Sequence, residues 1–335
     1  MLGRIINLFY VFLRKNTNQQ QRFLGYWWEK RNLIAFNKSI RSFFLDYEDY
    51  LNKHKINSSF YQYFPKKDKE EINYFLRIYK KAAHYEFLKK DDFQGRWEKF
   101  EEARKDVGRN LSYNPFNNTF NLYGFKSRFY PDSGVFPDNY NLELFKKNKN
   151  SVCLDLGAYI GDTAYLMNKY LKPQQIYAFE PDPDNLKVLK ENIKLNQLQD
   201  KVIPVPLAAS DKDGYCYFEK RGAGSEIVNK KMNKGTIKVK TIKIDDFVEK
   251  ERIKKVDLIK MDIEGAEFYA LKGAVKTLKR DKPDLIIAIY HKGKHLFEIP
   301  PWLKKIVPQY KLRFFAFNQA SPIIERFLAA SVRKI

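Results

Sequence analysis

Two cysteines in 335 residues, Cys153 and Cys216, cannot make a disulfide framework, and neither stands near another cysteine or a histidine pair of the kind that builds a structural zinc site. That scarcity fits a reducing, cytoplasmic setting. Long apolar runs are missing as well. Ile5–Leu13 is apolar apart from Asn7 and flanked by Arg4, Arg14 and Lys15, but its nine residues are too few for the ~30 Å hydrocarbon core of a bilayer. The following Asn16–Phe23 offers no small-residue cleavage site for a signal peptide, so residues 1–15 read as an amphipathic packing helix, with a peripheral anchor at the inner membrane face as the alternative. A mean hydropathy of -0.57 and 30% charged residues exclude an integral membrane protein and predict a soluble one. Glycine is sparse, and no G-x-G-x-x-G or phosphate-loop spacing occurs: Arg221–Ser225 is glycine-rich but lacks the lysine and the spacing.

Charge is present in excess. The formal net charge of +22 raises the prospect of a nucleic-acid partner, since clustered lysine and arginine neutralise phosphates. Its distribution argues against one: residues 1–150 hold 28 basic and 17 acidic residues and the remainder 34 and 23, so each part carries +11 and no tail concentrates it. Solvated lysine faces explain the excess, and attraction to anionic substrates such as phosphorylated or lipid-linked sugars stays compatible.

With 335 residues, 44% apolar, there is enough chain for a larger domain and a smaller partner, each with a core. Residues 1–110 place aromatics among charges at helical spacing, as in Tyr74, Ile78, Lys81 and Tyr85, and predict a mainly helical N-terminal domain. Trp27, Trp28, Tyr61, Tyr63 and Trp97 at this density are core residues before they are stacking platforms. Residues 111–150 change to Asn, Pro and Gly with short aromatic pieces, including Tyr130–Gly134, and read as a loop-rich connector with a hairpin. Within it, Asn114–Asn117 is a turn.

From residue 151 to 335 the pattern is regular. Short apolar runs end at Asp155, Glu180, Leu207, Met261 and Tyr290, separated by helical segments 163–170, 184–196 and 266–279. This alternation predicts an α/β domain with a mostly parallel sheet and helices on both faces, plus an antiparallel element from residues 215–219 and 236–244.

Asp155–Thr163 and Glu180 together describe a β-α-β nucleotide-binding unit. Gly157 and Gly161 let the backbone turn and approach a ligand, and Asp162 or Thr163 is the expected N-cap of the next helix. The helix start attracts an anion. An acid at Asp155 suits a ligand ammonium, and Glu180, at the end of the second strand, suits ribose hydroxyls; a cofactor with ammonium, carboxylate and ribose is S-adenosylmethionine. At the end of a later strand, Asp262 and Glu264 alternate along Lys260–Glu267 and can serve as base, hydroxyl binder or metal ligands, although two carboxylates do not establish a metal and none is expected. Glu267 reads as the start of the next helix. His291 stands at another strand end and suits a general base; His295 opens the following helix, and His54 and His84 are structural.

These pieces, in this order, resemble the FkbM family of S-adenosylmethionine-dependent methyltransferases: Asp155–Thr163, Ala178–Pro183, Ala208–Gly214, Thr241–Phe247, Lys260–Glu267 and Ile289–Pro300. The resemblance runs from Val152 to about Phe317 and leaves residues 1–120 out. It implies a class I methyltransferase, Rossmann-like fold and O-methylation of a hydroxyl, often on sugars of bacterial surface polysaccharides. It also implies that Asp155, Gly157, Ala158, Tyr159, Gly161, Asp162, Thr163, Glu180, Pro181 and Asp262 line the cofactor site, and that Asp262, Glu264 and His291 face the acceptor, without deciding which of the three is the base.

Overall fold

Apolar residues recurring every three or four positions before residue 110 form helices because burial of one stripe stabilises them. In the computed structural model of the chain these are α1 (Lys38–Lys53), α2 (Lys66–His84) and α3 (Trp97–Asn110). The structure describes residues 27–29, 33–36, 38–54, 58–85, 87–129, 139–145, 148–219, 226–228, 236–316 and 325–333; the N-terminal apolar run, Tyr130–Gly134 and Arg221–Ser225 lie outside them. In α2 the stripe Ile72, Phe75, Ile78, Tyr79, Ala82 and Ala83 is buried, while Tyr85, just past its end, is 56% exposed. Three short strands, β1 (Trp27–Glu29), β2 (Leu33–Phe36) and β3 (Phe87–Lys89), form an antiparallel sheet beside the helices, an element that helical periodicity did not announce.

The connector is more regular than its composition suggests. β4 (Leu111–Asn114), β5 (Thr119–Leu122) and β6 (Phe125–Ser127) make an antiparallel meander, and the expected turn at Asn114–Asn117 joins its first two strands. A four-residue link, Pro115–Asn118, and a two-residue link, Tyr123–Gly124, supply these reversals.

Seven strands build the main sheet: β7 (Val152–Leu156), β8 (Gln175–Phe179), β9 (Val202–Val205), then, after a detour, β14 (Leu258–Met261), β15 (Asp284–Ala288), β16 (Lys311–Ala316) and β17 (Arg326–Ser331). The detour contains β10 (Ala208–Ala209), β11 (Gly214–Glu219), β12 (Glu226–Val228) and β13 (Thr236–Ile242), a mostly antiparallel sheet where one was expected. The order of the main sheet is β16-β17-β15-β14-β7-β8-β9, all parallel except β17. This is a Rossmann-like arrangement. The strand order runs outward in both directions from the β7/β14 junction, the point at which sheets of this kind form a crevice at their strand ends. Central strands β14 and β15 are buried throughout, as a two-faced sheet requires.

The helices that follow the strands are α4 (Asp162–Leu171), α5 (Pro183–Leu195), α6 (Ile244–Lys250), α7 (Glu267–Lys272), α8 (Val275–Asp281) and α9 (Gly293–Ile306). One helix was expected over 266–279. It breaks into α7 and α8 at Gly273, where a Cβ would lie 2.0 Å from the Ser210 carbonyl oxygen. Among the described residues no helix is long and apolar enough to cross a membrane.

The core is continuous across the chain. Tyr47, Phe75, Ile78 and Tyr79 belong to the same buried apolar cluster as Leu154, Ile286 and Leu328. Polar contacts lock the seam: Asp68 accepts from Arg313 Nε at 2.8 Å and from the Phe314 amide at 2.8 Å, and the Tyr47 hydroxyl donates to the Ile289 carbonyl.

Candidate active site

The loop after β7 is shaped by backbone conformations that few residues adopt. Gly157, Tyr159 and Gly161 all have positive φ, at 81°, 47° and 93°. At Gly157 a Cβ would fall 2.0 Å from the Asp262 carbonyl oxygen, so only glycine lets the loop lie against the chain leaving β14. The amides of Gly157 and Ala158 donate to the Phe179 carbonyl at 3.1 and 2.9 Å, tying the loop to the end of β8.

Beneath the loop lies a buried cation. Lys260, on β14 and 1% exposed, sits opposite Asp155 in the sheet register; its Nζ donates to the Gly157 carbonyl at 2.9 Å and stands 3.2 Å from Asp155 Oδ1. Burial alone would lower its pKa, but Asp155 and Asp262 outweigh that and raise it. Asp155 is itself fully buried and also accepts from the Thr163 hydroxyl. It therefore meets its cation inside the protein and acts as an anchor of the loop. Because Thr163 serves Asp155, and Asp162 Oδ1 accepts from the adjacent Thr163 amide at 2.8 Å, neither caps α4 in the expected way; the cap position belongs to Gly161.

Glu180 follows β8. It is 5% exposed and accepts from the amides of Tyr159 at 3.1 Å and Asp182 at 2.8 Å. Burial pushes its carboxyl up to about 8 against the pull of those amides. Pro181 beside it is half-buried, and Asp182 Oδ1 caps α5 through the Asp184 amide. Gly157, Ala158, Tyr159 and Glu180 thus form one rim, with Asp162 and Thr163 behind it.

Across the crevice, the ends of β14 and β15 bring five titratable groups together. Asp262 and Glu264 are partly exposed, each by 18% of its side chain, whereas Glu267, His291 and His295 are wholly buried. His291 Nδ1 lies 2.8 Å from Glu267 Oε1; its Nε2 faces Glu264 Oε2 at 3.3 Å and Asp262 Oδ1 at 3.6 Å. Glu267 Oε1 also accepts from the amides of Ile263 at 3.0 Å and Gly265 at 3.3 Å. The Tyr290 hydroxyl donates to Asp262 Oδ1 at 3.1 Å. Burial alone would lower the His291 pKa, but Glu267, Glu264 and Asp262 together raise it to about 9. Glu267, which burial would raise, is instead held at about 2 by His291 and His295. Burial pushes His295 down to about 4, so it is neutral near pH 7 although Glu267 Oε2 is 3.3 Å away. Asp262 is raised, first by burial.

Asp262, Glu264 and His291, chosen from their places along the sequence, therefore meet in space. Lys260 and Glu267 complete the arrangement, one under the loop and one behind the imidazole. A lysine within a short, otherwise apolar strand run was the available sign for Lys260, because a buried ammonium requires a carboxylate partner. The N-terminal half contributes too: the Phe43 ring packs edge-on against His291 at 5.3 Å, and Asp46 Oδ2 accepts from the Gly293 amide at 2.6 Å. The buried Cys153 thiol, its pKa raised by burial, has no part in this chemistry.

Residues 155–310 match the methyltransferase FkbM domain. The chain is 30% identical over 156 residues to the hexuronic acid methyltransferase AglP of Haloferax volcanii, covering 47% of this chain and 62% of that protein. It is 28% identical over 149 residues to the 2-O-methyltransferase NoeI of Sinorhizobium fredii, covering 39% and 60%. It thus spans about 60% of the length of these relatives. The crystal structure of a methyltransferase FkbM from Methylobacillus flagellatus aligns with a TM-score of 0.49 and 15% identity, over 87% of this chain and 58% of the other.

Proposed function

We propose that the chain, whose residues 155–310 match the methyltransferase FkbM domain, is a methyltransferase of that family that methylates a hydroxyl group of a sugar, in a surface polysaccharide, glycolipid or related glycan precursor, using S-adenosylmethionine. The observation that supports this reading is that a ribose-type carboxylate, Glu180 after β8, and a partly open carboxylate pair, Asp262 and Glu264 after β14, stand at strand ends on either side of the glycine loop that follows β7. The names of the two curated relatives, one acting on a hexuronic acid and one a 2-O-methyltransferase, support a sugar hydroxyl as the acceptor.

The residues present fit the cofactor. Glu180, after β8, offers carboxylate oxygens to a ribose diol, and the loop 157–161 after β7 and Asp262 after β14 stand at the neighbouring strand ends. When bound, S-adenosylmethionine supplies a methyl group already activated on a sulfonium. The chain's work is then to position the hydroxyl oxygen in line, to exclude water and to manage one proton. Asp262 and Glu264 are the members of the cluster that a sugar can reach, and His291 lies behind them. With three carboxylates around it His291 already holds a proton near pH 7, so the hydroxyl proton passes to the Asp262/Glu264 pair while His291 steadies their charge.

Transfer of radiolabelled methyl from S-adenosylmethionine into a cell extract tests this. Label in a carbohydrate or glycolipid fraction is the expected result. Label that disappears on RNase treatment would replace the sugar with RNA as acceptor.

A further inference from the structure

Next to the carboxylate pair the surface turns cationic. Gly265, Tyr269 and Lys272 recur at spacings of four and three, and so lie on one side of α7 and of the turn before it. The start of α9 reaches that side. The Lys292 stem crosses Gly265, where a Cβ would stand 2.8 Å from its Cε and 3.2 Å from its Cγ, and Lys294 Nζ stands 5.5 Å from the centre of the Tyr269 ring. Lys272 Nζ is 5.8 Å from the same centre. Tyr269 is 45% exposed, and among the described residues it is the one exposed aromatic ring with two ammonium groups beside it. Because Gly265 follows Glu264 directly, this surface begins where the carboxylate pair ends.

Exposed lysines elsewhere in the domain are answered by carboxylates, Lys243 by Asp246 and Lys255 by Asp257, each at 2.6 Å. Lys272, Lys292 and Lys294 have no ion-pair partner among the described residues. Three such ammonium groups on one face attract an anion, and the ring between two of them offers an apolar surface to the C–H side of a sugar. We propose that Lys272, Lys292 and Lys294, around Tyr269, bind an anionic sugar unit of the acceptor, one carrying a carboxylate or a phosphate, while the hydroxyl to be methylated reaches Asp262 and Glu264. The inference rests on the sugar-methyltransferase reading and adds the charge of the acceptor to it. Asp262 and Glu264 repel an anionic sugar, and the lysines beside them supply the opposing attraction. Their N–H groups donate charge-assisted hydrogen bonds that a neutral sugar cannot match.

The test titrates the full 335-residue chain by calorimetry with a short oligogalacturonate, with glucose 1-phosphate, with a neutral maltooligosaccharide and with single-stranded poly(U). At least one of the two anionic sugars should bind about tenfold or more tightly than the maltooligosaccharide, and which one binds tells carboxylate from phosphate. Lys292→Met and Lys294→Met should each weaken that binding by about 5–20-fold, whereas Lys292→Arg should keep most of it. Lys190→Met, at an exposed lysine on α5, should leave it unchanged. No binding of either anionic sugar, equal affinity for the maltooligosaccharide, or binding that Lys292→Met and Lys190→Met weaken alike would overturn the subsite. Poly(U) binding that Lys292→Met abolishes, with no sugar bound, would give the patch to RNA instead. S-adenosylmethionine titrated into the same protein keeps the two ideas apart: cofactor binding without preference for an anionic sugar defeats the subsite alone, and that preference without cofactor binding defeats the methyltransferase reading alone.

Discussion

Glu180 is a carboxylate held in a place that favours its proton, and its behaviour should show in pH dependence. Its carboxyl, ordinarily near 4.5, is pushed up to about 8 by burial, so the folded chain holds the proton more tightly than the unfolded chain does. Its stabilising contribution is complete below about 4.5 and is lost as the pH rises through 8. Ribose hydroxyls need the ionised form, so affinity for S-adenosylmethionine should rise through that same range. Calorimetric titrations at several pH values should show this rise in the unsubstituted chain and a weaker one in Glu180→Gln. A second residue-scale prediction concerns Gly157: a Cβ 2.0 Å from the Asp262 carbonyl, at φ +81°, makes Gly157→Ala destabilising by about 2–4 kcal/mol in urea unfolding. Gly157, Gly161 and Glu180 were legible in the sequence because a turn and a strand end are local events. The roles of Lys260 and Glu267 were not, since Lys260 finds Asp155 only through the register of two parallel strands distant in sequence, and Glu267 finds His291 only once β15 lies beside β14.

Helix α1 is the element whose function lies furthest from its sequence. It reaches the end of β15 from outside the FkbM match, placing Phe43 on His291, Tyr47 on the Ile289 carbonyl and Asp46 on the Gly293 amide. Tyr47→Phe removes the hydroxyl from a fully buried contact and should cost about 1–2 kcal/mol. In α2, Asp68 is 2% exposed and answers both Arg313 and the Phe314 amide; Asp68→Ala strands them and should cost about 2–4 kcal/mol. Denaturant midpoints of the two variants check both values. The helices themselves followed from apolar spacing and a hairpin was expected in the connector, but β1 to β3 were not foreseen. Strands of three or four residues carry little alternation, and a pairing such as Leu33 with Lys89 is decided by tertiary packing.

At the scale of the whole molecule, one buried apolar cluster joins the N-terminal helices to the seven-stranded sheet. The chain should therefore unfold as a unit. Fluorescence of its tryptophans, which include Trp97 in α3 and Trp302 in α9, and far-ultraviolet circular dichroism should report the same thermal midpoint; separate transitions would show that the two halves are held independently. The alternation of strand and helix after residue 150 was enough to foresee the sheet, because a parallel sheet must be covered on both faces. That the helical half shares its core was hidden, since composition does not say where a second apolar surface is laid. The site follows from the same assembly: loop, carboxylates and imidazole come from four strand ends, and their meeting depends on the strand order. The most direct measurement is calorimetric titration of S-adenosylmethionine into the chain and into Glu180→Ala. Binding by the unsubstituted chain that weakens about 10–100-fold in the variant is the predicted result. Absence of binding to the unsubstituted chain, or equal affinity in both, would contradict the assignment of this crevice as the methyl-donor site.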